Sequence, residues 1–109
     1  MTDSLRIKLA EKLGWEHRPE MAYPWINESL RPSHSAFRKS PPDFSRWDNG
    51  TELLVKHLRK QGWSFTVVYS DYGWFAEFWK MSGESHQSRE QESIPAAIVA
   101  AACAVLNIE

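Results

Sequence analysis

The segment GWFAEFWKM, residues 73–81, restricts the fold more than any other stretch of the chain. Read as a β-strand, it sends successive side chains to opposite faces. Trp74, Ala76 and Phe78 point one way, and Phe75, Glu77, Trp79 and Met81 the other, so each face carries two large aromatics. A sheet with one face in water needs only one apolar face. This strand asks for cover on both. The preceding WSFTVVYS alternates Trp63, Phe65, Val67 and Tyr69 against Ser64, Thr66, Val68 and Ser70, and DYG supplies turn chemistry. Residues 63–81 therefore read as an antiparallel hairpin. Two strands alone are marginal in water, so the hairpin must be covered by the rest of the chain. Trp74 and Phe78 are expected in the main core, under helices, with Ala76 between them leaving room for a helix to approach. Glu77 interrupts the second face, which is expected to be half-buried and to hold an Arg or Lys against the carboxylate. The polar GESHQSREQE that follows is a loop, or a short edge strand around 85–88.

The cover is found in three helical patterns. In TDSLRIKLAEKLG, Leu5, Leu9 and Leu13 recur every four residues, Thr2, Asp3 or Ser4 can cap the start, and Gly14 stands where a left-handed stop is wanted. Trp15 is placed to fold back on the last turn. In DNGTELLVKHLRKQG, Leu54, Val55 and Leu58 form the buried stripe. Asn49 with Glu52 forms the pattern of a capping box, with Asp48 the competing cap, and Glu52 with Lys56 makes an i,i+4 pair. The third helix, SIPAAIVAAACAVLNIE, is capped by Ser93 and carries Pro95 in its first turn. Ile94, Ile98, Ala102, Val105 and Leu106 form its inner stripe, and its outer side is Ala96, Ala97, Ala100, Cys103 and Ala104, without a charge. Residues 16–47 hold five of the six prolines together with Met21, Tyr23, Trp25, Ile26, Phe37, Phe44 and Trp47. A linker has no need of these aromatics. The reading is a long ordered loop packed on one domain, with a short strand near 22–26.

These pieces in order define the expected architecture: a single α+β domain over residues 1–109, a layered α/β/α sandwich in the order α-(β)-α-β-β-(β)-α. A chain of 109 residues with 42% hydrophobic content is large enough for one real core and too apolar for disorder. The single Cys103 allows no internal disulfide. The apolar run 94–106 falls short of the ~20 residues that span a bilayer, and the first fifteen residues lack the continuous apolar core of a secretory leader. The expectation is a soluble intracellular protein with no membrane partner. A net charge of −1 does not suit a general nucleic-acid binder.

Charge is unevenly placed. Residues 31–60 carry seven basic side chains against three acidic ones, net +4, while the remainder is net −5. Phe37, Phe44 and Trp47 lie among the basic residues, and charge for phosphate with rings for bases is what a nucleotide requires. The candidate ligand-binding residues are Arg38, Arg46, Trp47, Lys56 and Lys60. The plainer reading, solvated charges with aromatics turned inward, is favoured. The four histidines and Cys103 show no metal-ligand spacing, so no metal or other cofactor is expected. The uncharged outer side of the third helix is a candidate homodimer contact through Ala96, Ala100, Cys103 and Ala104, since small residues permit close backbone approach.

The succession of a helix, GW, a Trp25–Ile26 segment, PDFS, a helix ending in QGW, an aromatic hairpin and a final SIPAAI helix resembles the phage ABA sandwich domain family, small proteins of tailed phages and prophages. The matching stretches, 5–15, 25–26, 42–45, 48–62, 63–79 and 93–106, cover somewhat more than half of the chain. Family members usually carry an acidic residue after the proline of the last helix and a basic one later; here Ala96 and Ala100 stand there, leaving this helix unusually apolar. The resemblance implies an α/β/α fold and a phage or prophage origin, and brings no catalytic residues. The expected function is a non-enzymatic accessory protein of the bacterial host cytoplasm. It would act by binding a host protein, in host takeover or counter-defence. The alternative is a sequestering protein for a nucleotide or another anionic small ligand, using residues 31–60.

Overall fold

A computed structural model describes residues 2–30 and 36–108; Arg31, Pro32 and His34 of the proline-rich and basic segments lie outside the described residues. The fold is α+β, with three helices and two antiparallel three-stranded sheets; the helices and the hairpin follow the expected order. The chain divides into two compact units, Met1–Asp43 and Phe44–Glu109.

The first unit opens with α1, Asp3–Lys12, whose first turn is capped by Thr2: its hydroxyl accepts from the Leu5 amide at 3.2 Å. The helix stops where Gly14 and Trp15 donate back to the carbonyls of Glu11 and Ala10 at 3.1 and 3.0 Å. That is the Schellman closure, and it needs the left-handed backbone Gly14 adopts. Three two-residue strands follow: β1 (Glu16–His17), β2 (Trp25–Ile26) and β3 (Phe37–Arg38), paired in that order. The strand expected near 22–26 is β2; its pairing with β1 and β3 makes a second sheet inside the region read as loop. The elements are too short to leave a periodic trace in the sequence. Leu9, Ala10, Leu13, Trp15, Trp25, Ile26 and Ala36 are buried. Asn27, also buried, is satisfied by donating to the Leu13 carbonyl at 3.2 Å and accepting from the Ser29 amide and hydroxyl. Arg6 donates to the carbonyls of Pro41 and Pro42.

The second unit enters through a five-residue π turn, Trp47–Thr51, that leads into α2, Glu52–Lys60. The amides of Asn49, Gly50 and Thr51 all converge on the Arg46 carbonyl. This corrects the expected capping box: Asn49 sits inside the turn and the chain enters it at Arg46, in extended conformation. Thr51 ties the turn down by donating its hydroxyl to the Phe44 carbonyl at 2.7 Å, with both residues buried. Gly62 and Trp63 end α2 with the same closure as Gly14 and Trp15 end α1. The main sheet follows, β4 (Ser64–Ser70), β5 (Gly73–Trp79) and β6 (Ser85–Gln87), in spatial order β4-β5-β6. Its last helix, α3 (Ile94–Leu106), is capped by the Ser93 hydroxyl and packs across one face of β5 and also against α2.

Ala76 and Phe78 are fully buried on the face of β5 under α3, with Phe65 of β4 stacked against Phe78 at 5.8 Å. Trp74 departs from expectation. It shares that face but lies at the strand end, half-buried, against Tyr69. On the other face, Phe75, Glu77 and Trp79 are half-buried, as expected, but among the described residues Glu77 makes no ion pair. Met81 falls beyond the strand and is fully exposed. Among the described residues no helix is long and apolar enough to cross a membrane.

Candidate functional site

The residues singled out by charge and aromaticity are divided between the two units. Arg38 belongs to the first unit. The register places it beside Trp25 and His17 on one face of β1-β2-β3, where His17 stacks on Trp25 at 4.8 Å and the Arg38 guanidinium lies 5.7 Å from the Trp15 ring. Burial, and after it the charge of Arg6, push Arg38 below the usual guanidinium value. Arg46, Trp47, Lys56 and Lys60 belong to the second unit. Arg46 faces Asp48 at 3.8 Å, both well exposed, and Trp47 is 46% exposed at the start of the π turn. Lys56 pairs with Glu52 at 3.0 Å. Lys56 and Lys60 lie one turn apart on an exposed side of α2. From Glu52 to Lys60 the helix rises about 12 Å, so Arg46 and Lys60 stand at opposite ends of it. A compact anion would reach the lysine pair or the Arg46–Trp47 end, not both.

On α3, Ala96, Ala100, Cys103 and Ala104 share one side. The first three are half-buried and Ala104 is exposed, while Ala97, Ile98, Ala101 and Ala102 are buried. Ala97, read as part of the outer side, thus belongs to the core. Burial pushes the Cys103 thiol up, so it is a poor nucleophile at neutral pH. Among the described residues His57 on α2 finds no hydrogen-bond partner for its buried Nε2, and burial, then the charge of Lys60, lower its pKa. Among the described residues no three His, Cys, Asp or Glu side chains come together as a metal site.

One concentration of exposed rings lies elsewhere. The β4–β5 turn holds Tyr72, 86% exposed, and next to it Tyr69, 68% exposed, whose ring leans on Trp74 at 4.8 Å and 56°. The turn is pinned. The Ser70 hydroxyl donates to the Gly73 carbonyl at 3.0 Å and accepts from the Tyr72 amide at 3.3 Å. Trp74 exchanges backbone hydrogen bonds with Gln91, at 2.9 and 2.6 Å. Gly73 has φ +129°, and a Cβ there would stand 2.6 Å from the Gln91 carbonyl oxygen, so only glycine lets the two segments approach. Sequence reasoning took DYG as turn chemistry alone. The available signal was a tyrosine at the centre of a turn, where the side chain has little core to enter.

No family model, curated protein or solved structure matches the chain.

Proposed function

We propose that this protein acts by binding a protein partner rather than by catalysis, and that the aromatic tip of the β4–β5 hairpin is its docking surface. The observation behind this reading is the exposure of Tyr72 and Tyr69 on a turn held by Ser70, Gly73 and Gln91. Tyrosine and tryptophan supply large contact area with few torsions to freeze, and they anchor many protein interfaces. A pinned turn has already met part of the ordering cost of association. The resemblance to phage ABA sandwich proteins supplies the setting: an accessory protein of a tailed phage or prophage, in the bacterial host cytoplasm, engaging a host protein in takeover or counter-defence.

A photo-crosslinking amino acid at position 72, expressed in bacterial cytosol, should yield one dominant adduct absent when the probe sits at the fully exposed Met81. The identified partner should bind Tyr72→Ala about thirtyfold more weakly, as loss of a hot-spot side chain does. Equal adducts from both positions, or unchanged affinity of Tyr72→Ala, would overturn the reading. A second reading, an anionic ligand on α2, has the exposed Lys56 and Lys60 one turn apart in its favour. A thermal-shift response to nucleotides that weakens in Lys60→Ala would favour it instead.

A further inference from the structure

We infer that β4 pairs edge to edge with β4 of a second copy of this chain, joining two three-stranded sheets into one. This does not rest on the proposed partner at the hairpin tip. The free edge follows from the hydrogen bonding of β5. Trp74 and Ala76 turn their backbone groups away from β4: Trp74 exchanges both with Gln91, the Ala76 carbonyl accepts from the Ser88 amide at 2.8 Å, and the Ala76 amide donates to the Ser88 hydroxyl at 2.9 Å. Gly73, Phe75, Glu77 and Trp79 therefore face β4, opposite Ser70, Val68, Thr66 and Ser64. That leaves the N–H and C=O of Phe65, Val67 and Tyr69 directed outward. Among the described residues no hydrogen bond reaches them.

An unpaired edge is ordinarily blunted by charge, proline, a bulge or shortness. The β6 edge is three residues long and runs into Arg89 and Glu90. β4, by contrast, is SFTVVYS: seven residues without a charge, a proline or a glycine, with Ser64, Thr66, Val68 and Tyr69 exposed. The strand is also self-complementary. A twofold axis at Val67 sets Val67 opposite the partner's Val67 and Phe65 opposite the partner's Tyr69. Every outward N–H and C=O then meets its complement. The same register brings β-branched Thr66 opposite the partner's Val68 and an aromatic pair at each end, the combinations that favour cross-strand association. No like charges meet anywhere along it.

Light scattering at roughly 100 µM, a concentration suited to a small interface, should give twice the 12.6 kDa chain mass. Val67→Pro removes only an outward N–H, which an edge strand tolerates. It should leave circular dichroism unchanged and weaken the dimer at least about tenfold, since the central pair is lost. A second measurement covers a failure of that variant to fold. With Cys103→Ala in the background, Thr66→Cys/Val68→Cys should give a covalent dimer on mild oxidation, because the two positions then face each other at about 4.5 Å between Cα atoms, within disulfide reach. A monomeric parent, a folded Val67→Pro variant that remains a dimer, or no cross-link in the double-cysteine chain overturns the inference. So does a dimer that Ala100→Glu splits and Val67→Pro does not, which would assign the contact to α3.

Discussion

Phe78 and Trp74 sit four residues apart on the same face of β5, yet their truncation should differ sharply in cost. Phe78 is fully buried between Phe65 and α3. Removing its ring forfeits about 2 kcal/mol of transfer free energy. A void of ~100 Å³ that the packed helix cannot fill adds up to about 2.4 kcal/mol at ~24 cal/mol per Å³. Phe78→Ala should therefore lose about 3–5 kcal/mol. Trp74 is half-buried at the strand end, where water enters the space the ring leaves, so the cavity contribution falls away. What remains is partial burial and the Tyr69 contact, itself worth about 0.5–1.5 kcal/mol. Trp74→Ala should cost about 1.5–2.5 kcal/mol on the same scale. Urea unfolding at 25 °C followed by circular dichroism measures both, with equal m-values as the check that the unfolded states are comparable. In thermal melts Phe78→Ala should fall by about 12 °C or more. If Trp74→Ala loses as much stability as Phe78→Ala, the assignment of the core to the middle of β5 is wrong.

Gly73→Ala should destabilise by about 1–3 kcal/mol, because it sets a methyl against the Gln91 carbonyl at a left-handed φ; a melting point within a degree of the parent would contradict the close approach. Thr51→Val strands the buried Phe44 carbonyl and should cost about 1–3 kcal/mol, read from the urea midpoint. His57 titrates lower in the folded chain than its ordinary 6.5, so between the two values the unfolded chain binds more protons. Its contribution is full above pH 6.5 and is lost as pH falls through the folded value. His57→Leu should flatten stability against pH in that window, and because Nε2 finds no partner among the described residues it should cost little at pH 7.5; an unchanged slope would show that His57 is not the titrating group.

The long elements were legible because each carries a local physical signature. The period-two alternation of 63–70 gives β4, and the Gly–Trp pairs at 14–15 and 62–63 both close helices with backbone bonds to the preceding turn. The Ser93 cap with Pro95 behind it sets the start of α3. What escaped is made of non-local pairing. The sheet of β1, β2 and β3 joins two-residue strands whose partners are far apart in sequence, and no period survives at that length. The π turn ahead of α2 escaped for a related reason. Asp48, Asn49 and Glu52 read as a cap in any window of the sequence. The chain instead gains one more turn, because the Thr51 hydroxyl reaches the Phe44 carbonyl in the buried interior.

The same distinction explains why the candidate surfaces were half visible. Alternation tells which side chains share a face; it cannot tell which edge of a strand is free. That is decided by Ser88 and Gln91, which take up the outward groups of β5 beyond the short β6 and so extend cover along the whole of one side. The charges flanking them, Arg89 and Glu90, fall on that already covered side. The uncharged edge is left on β4. Its residues are the ones that a hairpin reading values for pairing inward: Phe65 and Val67 serve the core with their side chains while offering their backbone groups to the outside. An edge strand chosen only for its core would tolerate lysine at Thr66 or Val68, both exposed on the other face. The chain places β-branched residues there instead, which suits pairing on both sides and gives the edge a reason to be met by another strand.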